Sequence, residues 1–390
     1  MKKKIIFVSK ALWIGGIETA LVNLLDNIDY DKYDVTCLVL KAELGMADRI
    51  NPNCRLLIAD RDQCVTFNEP YKYKRLYHLT EESENPSKLH QLFMWGVPAI
   101  RWMENRLYIK YIHNVMKNEV FDTAIIYSDV VAEPTIRAIK ASRYLMFYHH
   151  GAMRRVYHDE IGYKKSEKII AVSESQANEL KKFVPQYAEK IIFIHNLTDY
   201  EGVIHKSGMP IEDKFDRSNF NIVTCGRVSR EKGMDLAVRT CAQLVSQGYD
   251  NIKWWIVGGG PVESEVRNLI IELGMEKYMN MVGMKNNPYP YIKQSDLYVQ
   301  SSRFEGYPMT ILEAMVLCKP ILATYPAAKE QIESGVNGML CEANSSKIAE
   351  GIAYLYMHRD ELEKYHNALS KYSFDEANRK IMQSLYDLFE

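Results

Sequence analysis

The sequence predicts an α/β protein of two doubly wound domains, and three observations lead there. Its apolar segments are short and continuous rather than alternating, as strands buried on both faces of a parallel sheet must be. Amphipathic helical patterns separate them and supply the layers that cover such a sheet. The strand–helix series then begins again near residue 221, and at 390 residues the chain is too long for one ordinary core.

In the first half, residues 5–8 form the opening strand, and residues 17–28 read as a helix with Ala20, Leu21, Leu24, Leu25 and Ile28 on one face. Residues 35–40, 55–59, 123–126, 144–148 and 168–172 follow as strands, and residues 191–194 close the series. Ser173-x-x-Gln176 has the form of a capping box that opens a helix to Phe183. Residues 199–219 are rich in Asp, Lys, Gly and Pro and show no period, so the interdomain linker is expected there. The second series comprises strands at 221–225, 254–257, 280–282, 297–299 and 321–323, then a helical run over 345–370. Ser373-Phe374 interrupts that run before a last helix to Glu390. In such sheets ligands gather at the carboxyl ends of the strands, which places a site in the cleft between the domains.

Composition narrows the classes of function. The chain is 47% hydrophobic and 25% charged with a net charge of −1, which gives no bulk attraction to nucleic acid. Seven scattered cysteines, without metal-type pairing, read as reduced thiols of a cytoplasmic protein. The basic and apolar start at Met1–Val8 lacks a small-residue cleavage site and reads as a strand, not a signal peptide. No apolar stretch reaches the ~18–20 residues of a membrane-spanning helix. Residues 71–119 differ from the rest. They are helical in tendency and place Tyr71, Tyr73, Tyr77, Phe93, Trp95, Trp102, Tyr108 and Tyr111 among lysines and arginines. That mixture suits a membrane interface or a lipid-linked acceptor, while the plainer reading packs these aromatics in the first domain's core.

Several stretches carry chemistry. Gly15-Gly16-Ile17-Glu18 opens a helix after the first strand, where a ligand can approach the backbone and the helix N-terminus favours phosphate; the plain alternative is a tight turn. Gly226-Arg227-Val228-Ser229-Arg230-Glu231-Lys232-Gly233 follows the first strand of the second domain. From it Arg227, as a fork, and Lys232, as a point charge, reach a diphosphate, unless they belong to a solvated basic loop. Gly258-Gly259-Gly260-Pro261 ends another strand without the spacing of a nicotinamide site and is a tight turn near the nucleotide. His149-His150-Gly151 ends a first-domain strand, so that either histidine faces the cleft or bonds locally to backbone. Asp60-Arg61-Asp62 has the Asp-x-Asp form of metal-dependent transferases but reads as a loop after a strand. In the stretch from Gln300 to Met315, Glu305 lies in a strand-to-helix loop, and Pro308 is expected as first residue of a helix carrying Glu313. The free N–H groups between the two carboxylates make an anion and hydroxyl site, the layout that a sugar nucleotide needs.

In this order, Gly15-Gly16-x-Glu18, His150-Gly151, Val172-Ser173-Glu174, Asn196, Gly226-Arg227-x4-Lys232-Gly233, Val257-Gly258-Gly259-Gly260-Pro261 and Glu305-x7-Glu313 resemble the retaining GT-B glycosyltransferases of family 4. Ser302-Arg303-Phe304-Glu305-Gly306-Tyr307-Pro308-Met309 is similar to bacterial enzymes that build capsule or exopolysaccharide. The resemblance implies two Rossmann-like domains facing across a cleft: 1–198 plus 373–390 for the acceptor, and 199–372 for the nucleotide sugar. A final helix would cross back to the first domain.

The resemblance also assigns roles. Arg227 and Lys232 would hold the donor diphosphate, with Glu305 and His150 at the donor sugar and reacting centre. Gly16, Gly226, Gly258, Gly306, Tyr307, Pro308, Met309 and Thr310 would line the donor, and Glu313 would take the ribose hydroxyls. It implies a uridine diphosphate sugar as donor, a growing glycan or polyprenyl-linked acceptor, and neither metal nor other cofactor. A location at the inner face of the cell membrane would follow. His149 beside His150, and Pro308 where many members have glycine, are departures. A phosphorylase, an epimerase, or a non-catalytic GT-B subunit that binds a glycan or partner are the alternatives; such a subunit would be free to lose the phosphate ligands.

Overall fold

Alternate residues of the first strand enter different cores. In β1 (Lys3–Ser9), Ile5 and Phe7 pack on one side of a sheet and Ile6 and Val8 on the other. The run is therefore apolar without alternation. The computed structural model describes residues 2–41, 44–59, 88–149, 160–213 and 215–390; in the helix that starts at Lys88, side chains are described from Trp102 on. The sheet containing β1 has seven strands in the order β3-β2-β1-β4-β5-β6-β7, all parallel. The others are β2 (Tyr33–Val39), β3 (Arg55–Ile58), β4 (Val120–Ile126), β5 (Lys140–Tyr148), β6 (Lys168–Ala171) and β7 (Ile191–Phe193).

The second sheet has six parallel strands in the order β10-β9-β8-β11-β12-β13. They are β8 (Phe220–Cys225), β9 (Ile252–Val257), β10 (Met279–Gly283), β11 (Leu297–Gln300), β12 (Ile321–Thr324) and β13 (Met339–Cys341). It too has a core on each face, one around Ile222, Trp254 and Val299, the other around Val223, Trp255 and Tyr298. The direction of strand addition reverses between β1 and β4 in the first sheet and between β8 and β11 in the second. Loops leaving neighbouring strands at such a point diverge and open a crevice at the strand ends.

The helix Phe374–Phe389 is capped by Ser373, whose side chain accepts from Glu376 N–H at 3.3 Å. It returns to the first sheet, where Met382, Leu385 and Phe389 join the core of Ile5 and Phe7, and Tyr386 stacks on Tyr33 at 5.5 Å. The two doubly wound sheets and the returning helix are the architecture that the sequence predicts.

Several details differ. The expected linker contains a helix, Tyr200–Ser207; Asp199 caps it, and Val203 anchors it in the core of the second sheet. One buried apolar residue in a polar segment leaves too weak a period to read. A sixth strand, β13, lies in the second sheet where only five are expected; it is three residues long. The run over 345–370 is two helices, Ser345–Met357 and Arg359–Leu369, parted at His358. The helix expected over 17–28 is Gly16–Asp26. The capping box is partly as expected: Ser173 Oγ accepts from Gln176 N–H, but Gln176 Oε1 accepts from Val172 N–H.

Six of the cysteines, all free thiols, lie among the described residues; Cys64 and Asp60-Arg61-Asp62 lie outside them. Among the described residues no helix is long and apolar enough to cross a membrane.

The two halves are joined by a carboxylate. Glu330, from the second half, accepts from Glu174 N–H at 2.8 Å and Ser175 N–H at 2.7 Å, the first amides of the helix Glu174–Phe183. The third amide of that turn, on Gln176, goes to Ser173 Oγ. Glu330 Oε2 also lies 3.4 Å from His195 Nε2. Burial would raise this carboxyl, but hydrogen bonds from His195, Ser175 and Glu174 outweigh it and bring the group down to about 2. Its folded value therefore lies below the unfolded one. The stability it contributes is complete above about pH 4.5 and is lost as pH falls towards about 2. Glu330→Ala is expected to lower the melting temperature at neutral pH, with the gap to the wild type closing on acidification. An equal gap at neutral pH and at the acid end of the titration would show that this carboxylate does not hold the halves together.

Candidate active site

At the switch point of the second sheet, the loops after β8 and β11 meet. The first carries Gly226, Arg227 and Lys232, the second Glu305 to Pro308. Gly258, at the end of β9, has φ +151° and runs against the first loop; a Cβ there would sit 1.9 Å from Gly226 O. That contact accepts glycine alone. Arg227 is held lightly, with one guanidinium nitrogen 3.3 Å from Glu231 Oε2 and a side chain 61% exposed. Lys232 turns inward and its Nζ lies 2.5 Å from Glu305 Oε1. Arg303 ties the same two loops together. It donates to both oxygens of Asp235 at 2.8 and 2.7 Å and to Arg230 O at 2.8 Å, while its N–H donates to Glu231 O at 2.7 Å.

Glu305 Oε1 receives two further donors, Ser302 Oγ at 2.7 Å and Gln300 Nε2 at 3.0 Å. Behind them, Gln300 Nε2 also donates to Ser302 Oγ at 2.7 Å, and Gln300 Oε1 accepts from Tyr298 OH at 2.6 Å and Thr310 Oγ1 at 3.2 Å. Glu313 sits apart on the helix Met309–Val316, 7% exposed, and accepts from Tyr289 OH at 3.2 Å. Burial pushes its carboxyl up to about 7, against the Tyr289 hydrogen bond and the positive charges of Arg49 and Lys206. Pro308, expected as the first helical residue, is instead the N-cap with ψ 119°, and the helix begins at Met309. Proline's fixed φ suits either position, so the sequence leaves the boundary open by one residue.

The first sheet closes this crevice from the other side. Gly16, first residue of its helix, faces Met309: a Cβ on Gly16 would lie 3.9 Å from Met309 Cγ. Gly306 meets the ends of β5 and β6, where a Cβ would lie 2.9 Å from Gln176 Nε2 and 3.2 Å from His149 O. Tyr307 stacks on His195 at 4.4 Å and 9°, and its carbonyl accepts from Asn196 Nδ2 at 3.4 Å. Pro308 O accepts from Gln331 Nε2 at 3.0 Å. His149 packs against Tyr127 and Phe147, with ring centroids at 4.7 and 5.7 Å. His150 and Gly151 lie outside the described residues.

Of the sequence-derived residues, the structure brings Lys232 and Glu305 into contact and ties Thr310 to the Gln300 amide behind them. It sets Gly16 against Met309 from the other half and leaves Arg227 and Glu313 with separate partners, Glu231 and Tyr289. What sequence reasoning missed is the support: Gln300, Ser302 and Tyr298 behind Glu305, Tyr289 beside Glu313, Arg303 between the loops, and His195 with Glu330 across the halves. An amide and hydroxyls within an apolar strand, Tyr298 to Ser302, were the available signal, because buried polar groups need partners.

Residues 211–374 match the model of the family Glycosyl transferases group 1. Over 214 residues, 54% of this chain, it is 25% identical to the N-acetylgalactosamine-N,N'-diacetylbacillosaminyl-diphospho-undecaprenol 4-alpha-N-acetylgalactosaminyltransferase of Campylobacter jejuni, of which 56% is covered. Over 232 residues, 54% of this chain, it is 25% identical to the poly(ribitol-phosphate) alpha-N-acetylglucosaminyltransferase of Staphylococcus aureus, of which 46% is covered. The chain spans about half the length of these curated relatives. Among solved structures, Anabaena HepE in complex with UDP matches over 99% of this chain and 100% of that one, with a TM-score of 0.66 at 17% identity. That likeness is one of fold, and the GT-B architecture expected from the sequence is the one observed.

Proposed function

We propose that the protein is a retaining GT-B glycosyltransferase of family 4. It moves a hexose or N-acetylhexosamine from a uridine diphosphate sugar to a growing surface glycan or a lipid-linked oligosaccharide. The observation that carries this reading is the 2.5 Å contact of Lys232 Nζ with Glu305 Oε1, which joins the loops after β8 and β11 at the switch point of the second sheet, with Arg227 on the first of those loops. The matched family, the undecaprenol-linked glycan named for the Campylobacter relative, and UDP in the HepE structure support it.

Each group has a chemical task. Arg227 and Lys232 meet the charge of the diphosphate and stabilise it as it leaves, so this reading needs no metal ion. Glu305 accepts from hydroxyls of the donor sugar, with amides of residues 306–309 beside it, Pro308 contributing none. Glu313 accepts from the ribose. Gly16 lets its N–H approach the phosphate from the opposite sheet, and the resemblance gives His150, or His149 beside it, a role near the donor sugar. The anomeric centre passes through an oxocarbenium-like state, as in glycoside cleavage generally. The two glutamates position the donor and are not an acid/base pair, and the departing phosphate takes the acceptor's proton on the same face. Contacts between the halves exclude water from the donor.

A cytoplasmic protein lying on the inner membrane face fits a lipid-linked acceptor. Trp102, Met103 and Leu107 are exposed on the helix Lys88–Met116, and Arg106 caps the Trp102 ring at 4.6 Å from its centroid. Tyr108 and Tyr111 of the same helix pack into the first sheet's core, so the described aromatics divide between core and surface; the side chains of Tyr71, Tyr73, Tyr77, Phe93 and Trp95 lie outside the described residues.

Three measurements test this reading. Arg227→Ala and Lys232→Ala are each expected to cut release of UDP from the donor by about 10²-fold or more with the circular dichroism spectrum unchanged. Near-normal turnover in both would sink the assignment. Because Glu313 titrates near 7 and only its ionised form offers both oxygens to the ribose, UDP binding is expected to tighten as pH rises. Between about pH 6 and pH 8 the gain is about tenfold, relative to Glu313→Gln, whose profile reports only the ligand's own titration. Parallel profiles in the two proteins would remove Glu313 from the nucleotide site. Finally, the protein should sediment with anionic vesicles at low salt and be released at high salt, and Trp102→Ala should weaken this; no binding at low salt would count against membrane attachment.

A further inference from the structure

All three donors to Glu305 end on one oxygen. Lys232 Nζ, Ser302 Oγ and Gln300 Nε2 reach Oε1 at 2.5, 2.7 and 3.0 Å, and among the described residues no hydrogen bond reaches Oε2. The side chain is 10% exposed, so the carboxylate has one oxygen committed to protein and one left for whatever enters the crevice.

The asymmetry originates one layer deeper. Gln300 is 1% exposed, and the amide has two ends to satisfy. Tyr298 OH and Thr310 Oγ1 both donate to its Oε1. A carboxylate only accepts, so the opposite end, facing Glu305 and Ser302, must be the NH₂ group. Ser302 Oγ, accepting from that NH₂, has its own proton left for Glu305. The direction of every bond from Tyr298 to Glu305 is thereby fixed without reference to any ligand.

We propose that Gln300 is a positioning residue for the sugar-binding carboxylate. It holds Glu305 in the one orientation that presents Oε2 to a donor-sugar hydroxyl. This rests on the glycosyltransferase reading and adds a residue to it that touches neither donor nor acceptor. Loss of the amide removes one of the three donors on Oε1 and the support of Ser302 Oγ, so that Glu305, still held by Lys232, turns about its last torsion and Oε2 leaves the sugar's reacting geometry. The nucleotide, gripped at Glu313 and Arg227, keeps its partners.

The test uses Gln300→Met, which keeps the volume and removes the amide, and Gln300→Glu, in which the new carboxyl can donate to Glu305 only when protonated. Wild type and variants are assayed for UDP release from UDP-glucose, UDP-galactose, UDP-N-acetylglucosamine and UDP-N-acetylgalactosamine in the presence of an undecaprenyl-diphosphate-linked saccharide acceptor, and for UDP binding by calorimetry. Gln300→Met should lower kcat by about 10- to 100-fold, as a misplaced group does, with the Kd for UDP within about threefold of wild type. Gln300→Glu should recover kcat at saturating donor as pH falls from about 8 to about 6, a trend that wild type lacks. An undiminished kcat in Gln300→Met overturns the proposal and leaves the glycosyltransferase reading intact. Loss of UDP binding in both variants also overturns it, because the role is then structural. A wild type that binds UDP but releases it from none of the donors overturns the reading and this proposal with it.

Discussion

The contact between Lys232 Nζ and Glu305 Oε1, at 2.5 Å, joins the two loops on which the crevice depends. Those loops leave adjacent strands, β8 and β11, on which the chain then builds the sheet in opposite directions, so nothing in the sheet itself keeps them together. With side chains 21% and 10% exposed, the pair is largely desolvated, and such a pair holds only where its remaining polar atoms are satisfied. Gln300 and Ser302 meet that condition on the carboxylate. The two-pronged Arg303–Asp235 contact repeats the bridge between the same loops a few residues away. Cation and carboxylate are thus fixed relative to each other before anything binds, which is what electrostatic preorganisation requires.

The same loop is also held from the opposite sheet. Gly306 passes so close to His149 O and Gln176 Nε2 that a side chain there would have to displace them, and Tyr307 stacks on His195 directly after it. Glu330 adds a charge at the helix N-terminus beside them, where the three leading amides are all satisfied. Gly306 and Tyr307 belong to the stretch that the sequence presents as a single motif, so the residues that would grip the donor sugar also touch the opposite sheet. In the proposed reaction, contact between the halves and sugar binding would be coupled through the position of this loop.

Much of this was legible in the sequence for a plain reason. A strand covered on both faces must be continuously apolar, and all seven strands of the first sheet and five of the second announce themselves so. β13, three residues long, and the Tyr200–Ser207 helix, with Val203 as its anchor, fall below the length over which a period is visible. At the site, residues whose chemistry is overt, Arg227, Lys232, Glu305 and Glu313, were readable. Glu330 was not, because its partners lie up to 156 positions away and no spacing rule encodes such a meeting. Gln300 and Tyr298, whose partners in this chain of bonds are near in sequence, were passed over as part of an apolar strand. The Pro308 boundary was missed by one residue, since proline's φ is equally at home at the cap and in the first turn.

The ion pair also divides labour between the two cations of the proposed reaction. An ammonium group has three donors, and Lys232 commits one of them to Glu305. The other two remain for a diphosphate, so the lysine can bridge sugar carboxylate and phosphate without releasing either. Its charge, however, is already offset by Glu305, and the excess positive charge that a departing diphosphate needs must come from elsewhere. In the proposed reaction Arg227 would meet that need. It is 61% exposed, its one tie among the described residues is a 3.3 Å contact to Glu231, and its planar fork matches phosphate oxygens. In the proposed reaction Lys232 would therefore locate the diphosphate relative to the sugar, and Arg227 would supply the compensating charge as the bond to the sugar breaks.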